Sequence, residues 1–168
     1  PLRLADLYEG QLRDPDKALE SLSAALESGG EDREILRRMA GLLRQRSKFE
    51  PLADILARQA QSANDVRAQA GFLVALGKVR GENLKDKQGA LEAFRDGLER
   101  VPEQKDALTA MRALLRDEAL RADAIEVLEP LAEARGDFAE LATLIETRAQ
   151  TESDGMTAAG HWRRIAEI

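Results

Sequence analysis

Cysteine is absent from this 168-residue chain, which excludes a disulfide framework, a thiol nucleophile and a zinc ribbon. Histidine occurs once, at His161, so no multi-histidine metal site can form, and no metal or other cofactor is expected. The longest apolar run, Phe72 to Leu76, is far shorter than the roughly 18 residues of a membrane-crossing helix, which predicts no membrane span. Aromatic residues make up only 4% of the chain and the formal charge is -6. A stacking platform and a broad positive field are both missing, which argues against nucleic acid as the partner. Valine, isoleucine and threonine are scarce, and no alternating stretch reads as a strand.

What remains is helix-forming. Alanine and leucine supply close to a third of the residues, and hydrophobic residues at 43% suffice for a continuous core. From Asp16 to Glu27 the apolar residues Ala18, Leu19, Leu22, Ala25 and Leu26 recur three and four apart, lining one helix face. Asp14 caps the start of that helix, Pro15 suits its first position, and Gly29-Gly30 ends it. The same reading along the chain predicts ten helices, at about 2–10, 15–28, 31–46, 48–61, 64–82, 87–100, 103–118, 120–135, 137–151 and 155–168. The fold class is therefore all-α. Links such as Val101-Pro102 and Gly136-Asp137 are short enough to force neighbouring helices back on themselves as antiparallel hairpins. Pro130, inside an apolar helical pattern, is expected to kink its helix or shift its start.

The chain also repeats itself. Shifted by 72 positions, Asp14 falls on Asp86, Ala18-Leu19-Glu20 on Ala90-Leu91-Glu92, Met39 on Met111 and Leu42-Leu43-Arg44 on Leu114-Leu115-Arg116. Shifted by 89, Phe49 falls on Phe138, Leu52-Ala53 on Leu141-Ala142, Asp65 on Asp154 and Ala70-Gly71 on Ala159-Gly160. The two offsets differ by 17 residues, the length of one helix, which places an added helix around 120–135 in the second copy. Grouped by hairpin, the chain reads as a single repeat domain over 1–168, with hairpins at about 2–28, 31–61, 64–100 and 103–135. A further helix at 137–151 and a truncated repeat at 155–168 complete it.

Leu73, Leu76, Gly77 and Arg80, then Ala90, Phe94 and Gly97, then Pro102, follow the order W-x2-L-G-x2-Y, A-x3-F, P with one residue inserted between the helices. In this the chain resembles the tetratricopeptide repeat family. In the pattern, small Gly77 lets two helices approach, Ala90 faces it and Phe94 fills the gap between hairpins. Arg80 replaces the tyrosine, which Tyr8 supplies at the matching place in the first copy. The resemblance implies hairpins stacked into a right-handed α-solenoid, with Phe94, Leu98, Leu22, Leu26, Met39, Met111 and Leu128 buried. Trp162, Ile165 and Ala166 begin a repeat without its partner helix. The chain is therefore expected to be a fragment of a longer array, with apolar surface at Trp162 open to self-association.

Chemistry is thin by comparison. Glu20, Glu27, Glu34, Glu92, Glu99 and Glu126 sit near basic residues and read as solvated helix faces. His161 has no titratable partner at a useful spacing, and the segments Gly77-x3-Gly81 and Gly29-Gly30 lack the lysine and hydroxyl of a phosphate loop. No enzyme activity is expected. The tetratricopeptide resemblance implies instead a concave face, on which Arg37, Arg44, Lys78, Thr109, Ala113 and Arg116 would point inward. Four of these six are basic, a local strip suited to an acidic peptide; pairing of the arginines with Glu34, Asp106 and Asp117 is the competing reading. The lysine and asparagine clamp of chaperone-binding relatives is missing. The functional expectation is a non-catalytic scaffold that binds a protein or peptide. The rival is a regulatory or assembly segment of a larger enzyme whose catalytic domain lies elsewhere. The cytoplasm is the default compartment, and an arginine-to-lysine ratio of about three to one fits a bacterial genome rich in G and C.

Overall fold

A computed structural model describes residues 1–30 and 32–167. Among them are ten helices and no strand: α1 (Leu2–Leu7), α2 (Pro15–Gly29), α3 (Arg33–Gln45), α4 (Phe49–Ser62), α5 (Val66–Lys78), α6 (Lys87–Arg100), α7 (Lys105–Leu114), α8 (Arg121–Arg135), α9 (Phe138–Thr151) and α10 (Gly155–Glu167). The expected ends at Glu31 and Ile168 lie outside the described residues. No helix among those described is long and apolar enough to cross a membrane. The chain forms two compact units, Pro1–Val101 and Pro102–Ile168.

Aspartate starts most of the helices. The carboxylates of Asp14, Asp32, Asp65, Asp86 and Asp137 each accept a backbone N–H of the following first turn, at 2.8 to 3.1 Å. Asp154 does the same for Thr157 N at 2.8 Å. Each bond satisfies a donor that the helix itself leaves open and places negative charge at the positive end of the helix dipole. Proline does not interrupt α8, which starts at Arg121 and runs through Pro130, so the expected shift of its start is not seen. The proline is exposed, and the rest of the helix buries Ala124, Ile125, Leu128 and Ala132.

Both sequence offsets reappear in the backbone. At 72, α2 and α6 start at Pro15 and Lys87, and α3 and α7 start at Arg33 and Lys105. At 89, α4 matches α9 and α5 matches α10 from end to end. Unusual dihedrals follow the same rule. Ser47 and Gly136, 89 apart, both take left-handed backbone with φ of 53° and 67°, and the next N–H of each bonds back to Leu43 O and Ala132 O at 2.9 and 3.0 Å. Arg13 and Lys85, 72 apart, are left-handed as well. Each follows a widened π-helical turn, Tyr8–Leu12 after α1 and Val79–Asn83 after α5. Such a turn takes in one extra residue per helical turn, and it accommodates the residue inserted between α5 and α6. The added helix α8 stands before α9 as α3 stands before α4, so it is a second counterpart of α3 rather than a foreign element.

In the first unit α1 to α6 each pack on the next helix in sequence, around Leu22, Leu36, Leu52 and Leu56, all at most 2% exposed. In the second unit α7 to α10 do likewise, around Met111, Ile125, Leu128, Leu144 and Ile145. Phe94, Leu98, Leu22, Leu26, Met39, Met111 and Leu128 are all buried. The α5–α6 contact differs in one detail from the expectation. A Cβ on Gly77 would sit 2.5 Å from Phe94 Cε1, so it is the Phe94 ring that lies on Gly77, whereas Ala90 faces Gly81 at 3.3 Å. The physical reason is the π-helical turn, which carries Gly81 to the place opposite Ala90.

Truncating Phe94 to alanine empties a filled site and is expected to cost about 3 to 5 kcal/mol, read from denaturant midpoints. Gly77→Ala adds a methyl where the ring already stands and is expected to cost about 1 to 3 kcal/mol. A loss below about 1 kcal/mol for Phe94→Ala would contradict the packing described.

Candidate functional site

In the first unit, α3, α4 and α5 enclose an open groove of about 590 Å³. Helix α3 contributes Arg37, Ala40, Gly41 and Arg44, α4 contributes Leu56 and Gln59, and α5 contributes Ala68, Gly71, Phe72 and Ala75. The residues at its centre are small because helical spacing puts Ala40, Gly41, Gly71 and Ala75 on facing sides of α3 and α5. Gln59, which lines the same space, is 7% exposed.

The basic residues at this groove are not equivalent. Arg37 is held by Glu34, its Nε donating to Oε2 at 2.8 Å, and the pair is exposed. The Glu34 carboxyl lies below its ordinary range, chiefly through that hydrogen bond. Arg44, the penultimate residue of α3, is exposed and forms no ion pair among the described residues. Lys78 is exposed at the end of α5 but does not line the groove. Thr109, Ala113 and Arg116 belong to the second unit and are exposed there. Arg116 matches Arg44 at an offset of 72, but α7 ends at Leu114, so Arg116 stands in a tight turn closed by a bond from its own N–H to Ala113 O at 3.3 Å.

The same ten positions in the second copy, 89 residues on, are chemically inverted. Where the first groove has Arg37, Ala40, Arg44, Gln59 and Ala75, the second copy has Glu126, Glu129, Glu133, Arg148 and Arg164. Glu129, with its side chain 8% exposed, accepts from Arg164 Nη1 at 3.1 Å. Arg148 Nε stands 3.3 Å from the other oxygen, Oε1, but out of line, and Oε1 has no hydrogen bond. Arg164 also reaches Glu133 at 3.7 Å. His161, at the place of Phe72, lies on α10 and is half-buried.

A half-buried carboxylate, Glu140, joins three helices of this unit. It receives Arg112 Nε from α7 at 2.6 Å and Arg135 Nη2 from α8 at 2.7 Å. Its carboxyl lies below the ordinary glutamate range, first because of the Arg112 hydrogen bond and despite partial burial. The six glutamates read as solvated are all exposed; Glu129 and Glu140 were not among them. The signal for Glu129 was available, since it lies in phase with Ala124, Ile125, Leu128 and Ala132 on the buried stripe of α8. No protein-family model matches the chain, and no curated protein matches it in sequence.

Because the folded pKa of Glu140 is depressed, its stabilisation is fully present above the ordinary glutamate pKa, here 4.5, and is lost as pH falls through the lower folded value. Glu140→Gln is therefore expected to be less stable than the native chain at pH 7. The two should converge in denaturant midpoint as pH is lowered from 4.5 towards 3. A constant difference across that window would show that the charge on Glu140 contributes nothing.

Proposed function

We propose that this chain is a non-catalytic helical-repeat scaffold that binds an acidic protein or peptide segment in the groove between α3 and α5. Its hairpins are antiparallel and stacked as a right-handed solenoid of tetratricopeptide-like build. That reading is supported by the two backbone offsets, the short links and the packing of consecutive helices within each unit. The observation that carries the function is the state of the groove: it is open, it has small residues at its centre, and it brings Arg44, without an ion pair among the described residues, to the same space as the amide side chain of Gln59. A carboxylate satisfies both at once, accepting two N–H donors from Arg44 and one from Gln59. Arg37 contributes less than Arg44, since Glu34 already neutralises its guanidinium and holds its Nε and Nη2. Binding needs no rearrangement of the helices, so little ordering entropy opposes it.

A library of acidic peptides offered to the whole chain tests the reading. Binding is expected to be modest and to weaken with added salt, because exposed charges are screened over about 8 Å at physiological ionic strength. Arg44→Glu is expected to weaken the best ligands at least about tenfold, as loss of a charge-assisted bond does. Arg116→Glu serves as the comparison at the other position of the expected strip. Equal affinity of the native chain and Arg44→Glu for the same peptides would refute the groove.

A further inference from the structure

Mid-helix glycines of the first unit are of two kinds. Gly77 and Gly97 each sit where a Cβ would meet another residue within 4 Å, so packing within the chain accounts for them. Gly41 and Gly71, inside α3 and α5, differ: a Cβ at either would meet nothing within 4 Å, and neither has the positive φ of Gly30 or Gly136. Alanine in their place would favour the helix. Both line the groove, one from each wall. The walls also differ in chemistry. Helix α3 brings Arg37 and Arg44, whereas α5 brings only uncharged residues, among them the half-buried ring of Phe72. No acidic side chain lines the space among the described residues. Each wall runs over two helical turns, from Arg37 to Arg44 and from Ala68 to Ala75, which is a rise of about 10 Å.

Resting on the reading of this groove as a site for an acidic segment, we propose that the segment is extended and alternates acidic with apolar side chains, the acids turned to Arg44 and Arg37 and the apolar side chains to Phe72 and Ala75. Successive side chains of an extended chain point to opposite sides, so one strand meets a basic wall and an apolar wall at once. About three residues span such a length. A helix, about 10 to 12 Å across, presents one stripe to a groove and does not divide its side chains between facing walls. Gly41 and Gly71 keep the backbone path clear, because a wall without a Cβ lets a ligand's main chain lie against the helix. Attraction then has two parts, a charge-assisted bond at Arg44 and apolar burial against Phe72. Acidic composition alone supplies the first; the order of residues secures both.

The test measures binding of the whole chain, by fluorescence anisotropy, to three labelled peptides of equal length and charge: glutamate and leucine alternating, the same residues in two blocks, and glutamate and serine alternating. The alternating glutamate–leucine peptide is expected to bind at least about tenfold more tightly than either of the others. Gly71→Leu, which fills open space, is expected to keep the native denaturant midpoint and to weaken that peptide at least about tenfold. Gly71→Ala, which adds a single methyl, is expected to raise the midpoint and to weaken the peptide less. Equal binding of the alternating and blocked peptides, with Arg44→Glu weakening both, overturns the alternation and leaves the acidic groove standing. Equal binding of the leucine and serine peptides overturns the apolar wall in the same way. Unchanged affinity in both Gly71 variants overturns the path across α5. Binding to none of the three, or no response to Arg44→Glu, overturns the groove itself and the inference with it.

Discussion

Within each unit a helix can bury its apolar stripe only against the helices beside it in sequence, and most other features follow from that constraint. Short links follow, because a neighbour has to come back before the stripe meets water. Aspartate caps follow too, since frequent helix ends leave many N–H groups to satisfy. Small residues follow at the closest approaches. The Phe94 ring on Gly77 and Ala90 on Gly81 are two contacts where a larger residue would push α5 and α6 apart.

Local packing also explains how one backbone plan supports two opposite chemistries. Helix-to-helix contacts are made by the buried stripe, and they are the same kind of contact in α3–α4–α5 as in α8–α9–α10. Some positions between alternate helices, Ala40 in one copy and Glu129 in the other, lie on the buried stripe itself, yet the two helices that follow them keep the same order and ends. In the first copy the positions are small, with an unpaired arginine at the edge; in the second they are large and charged, and the chain fills its own gap. A buried carboxylate flanked by arginines is a poor source of stability by itself, because desolvation consumes most of the Coulombic attraction. Placing Glu129 there constrains what can lie above it: a cation satisfies it and an apolar side chain does not.

Ion pairs elsewhere act as ties between helices rather than as chemistry. Arg38, with its side chain 17% exposed, joins Asp6 and Glu9 at 2.8 Å each, and Asp16 joins Arg46 and Lys48 at 2.8 and 2.6 Å. Glu140 plays the same part among α7, α8 and α9. Apart from Arg135 and Glu140, which are 5 positions apart, these pairs link residues about 30 positions apart, the span of a helix and its return, so they hold the register between helices that the apolar stripe alone leaves free to slide. Arg37 belongs with them in kind but not in reach, since its partner Glu34 is on the same helix.

Helix content, the number of helices, their caps and the two offsets were legible in the residues, because each depends on interactions within a few positions: apolar spacing at three and four, aspartate before a first turn, glycine after a last one. The buried face was legible for the same reason, down to Phe94, Leu98 and Met111. The pairing of Phe94 with Gly77, and of Ala90 with Gly81, depends on a widened turn that shifts one helix against the next, and nothing local in the sequence specifies that shift. The state of each charged residue was decided by tertiary structure as well. Arg37, Arg44 and Arg116 look alike in the sequence, yet one is paired along its own helix, one faces an open groove and one stands in a turn. Whether an arginine is free to bind depends on which carboxylates come within 3 or 4 Å of it, and those carboxylates arrive from other helices, at distances along the chain that no local pattern encodes.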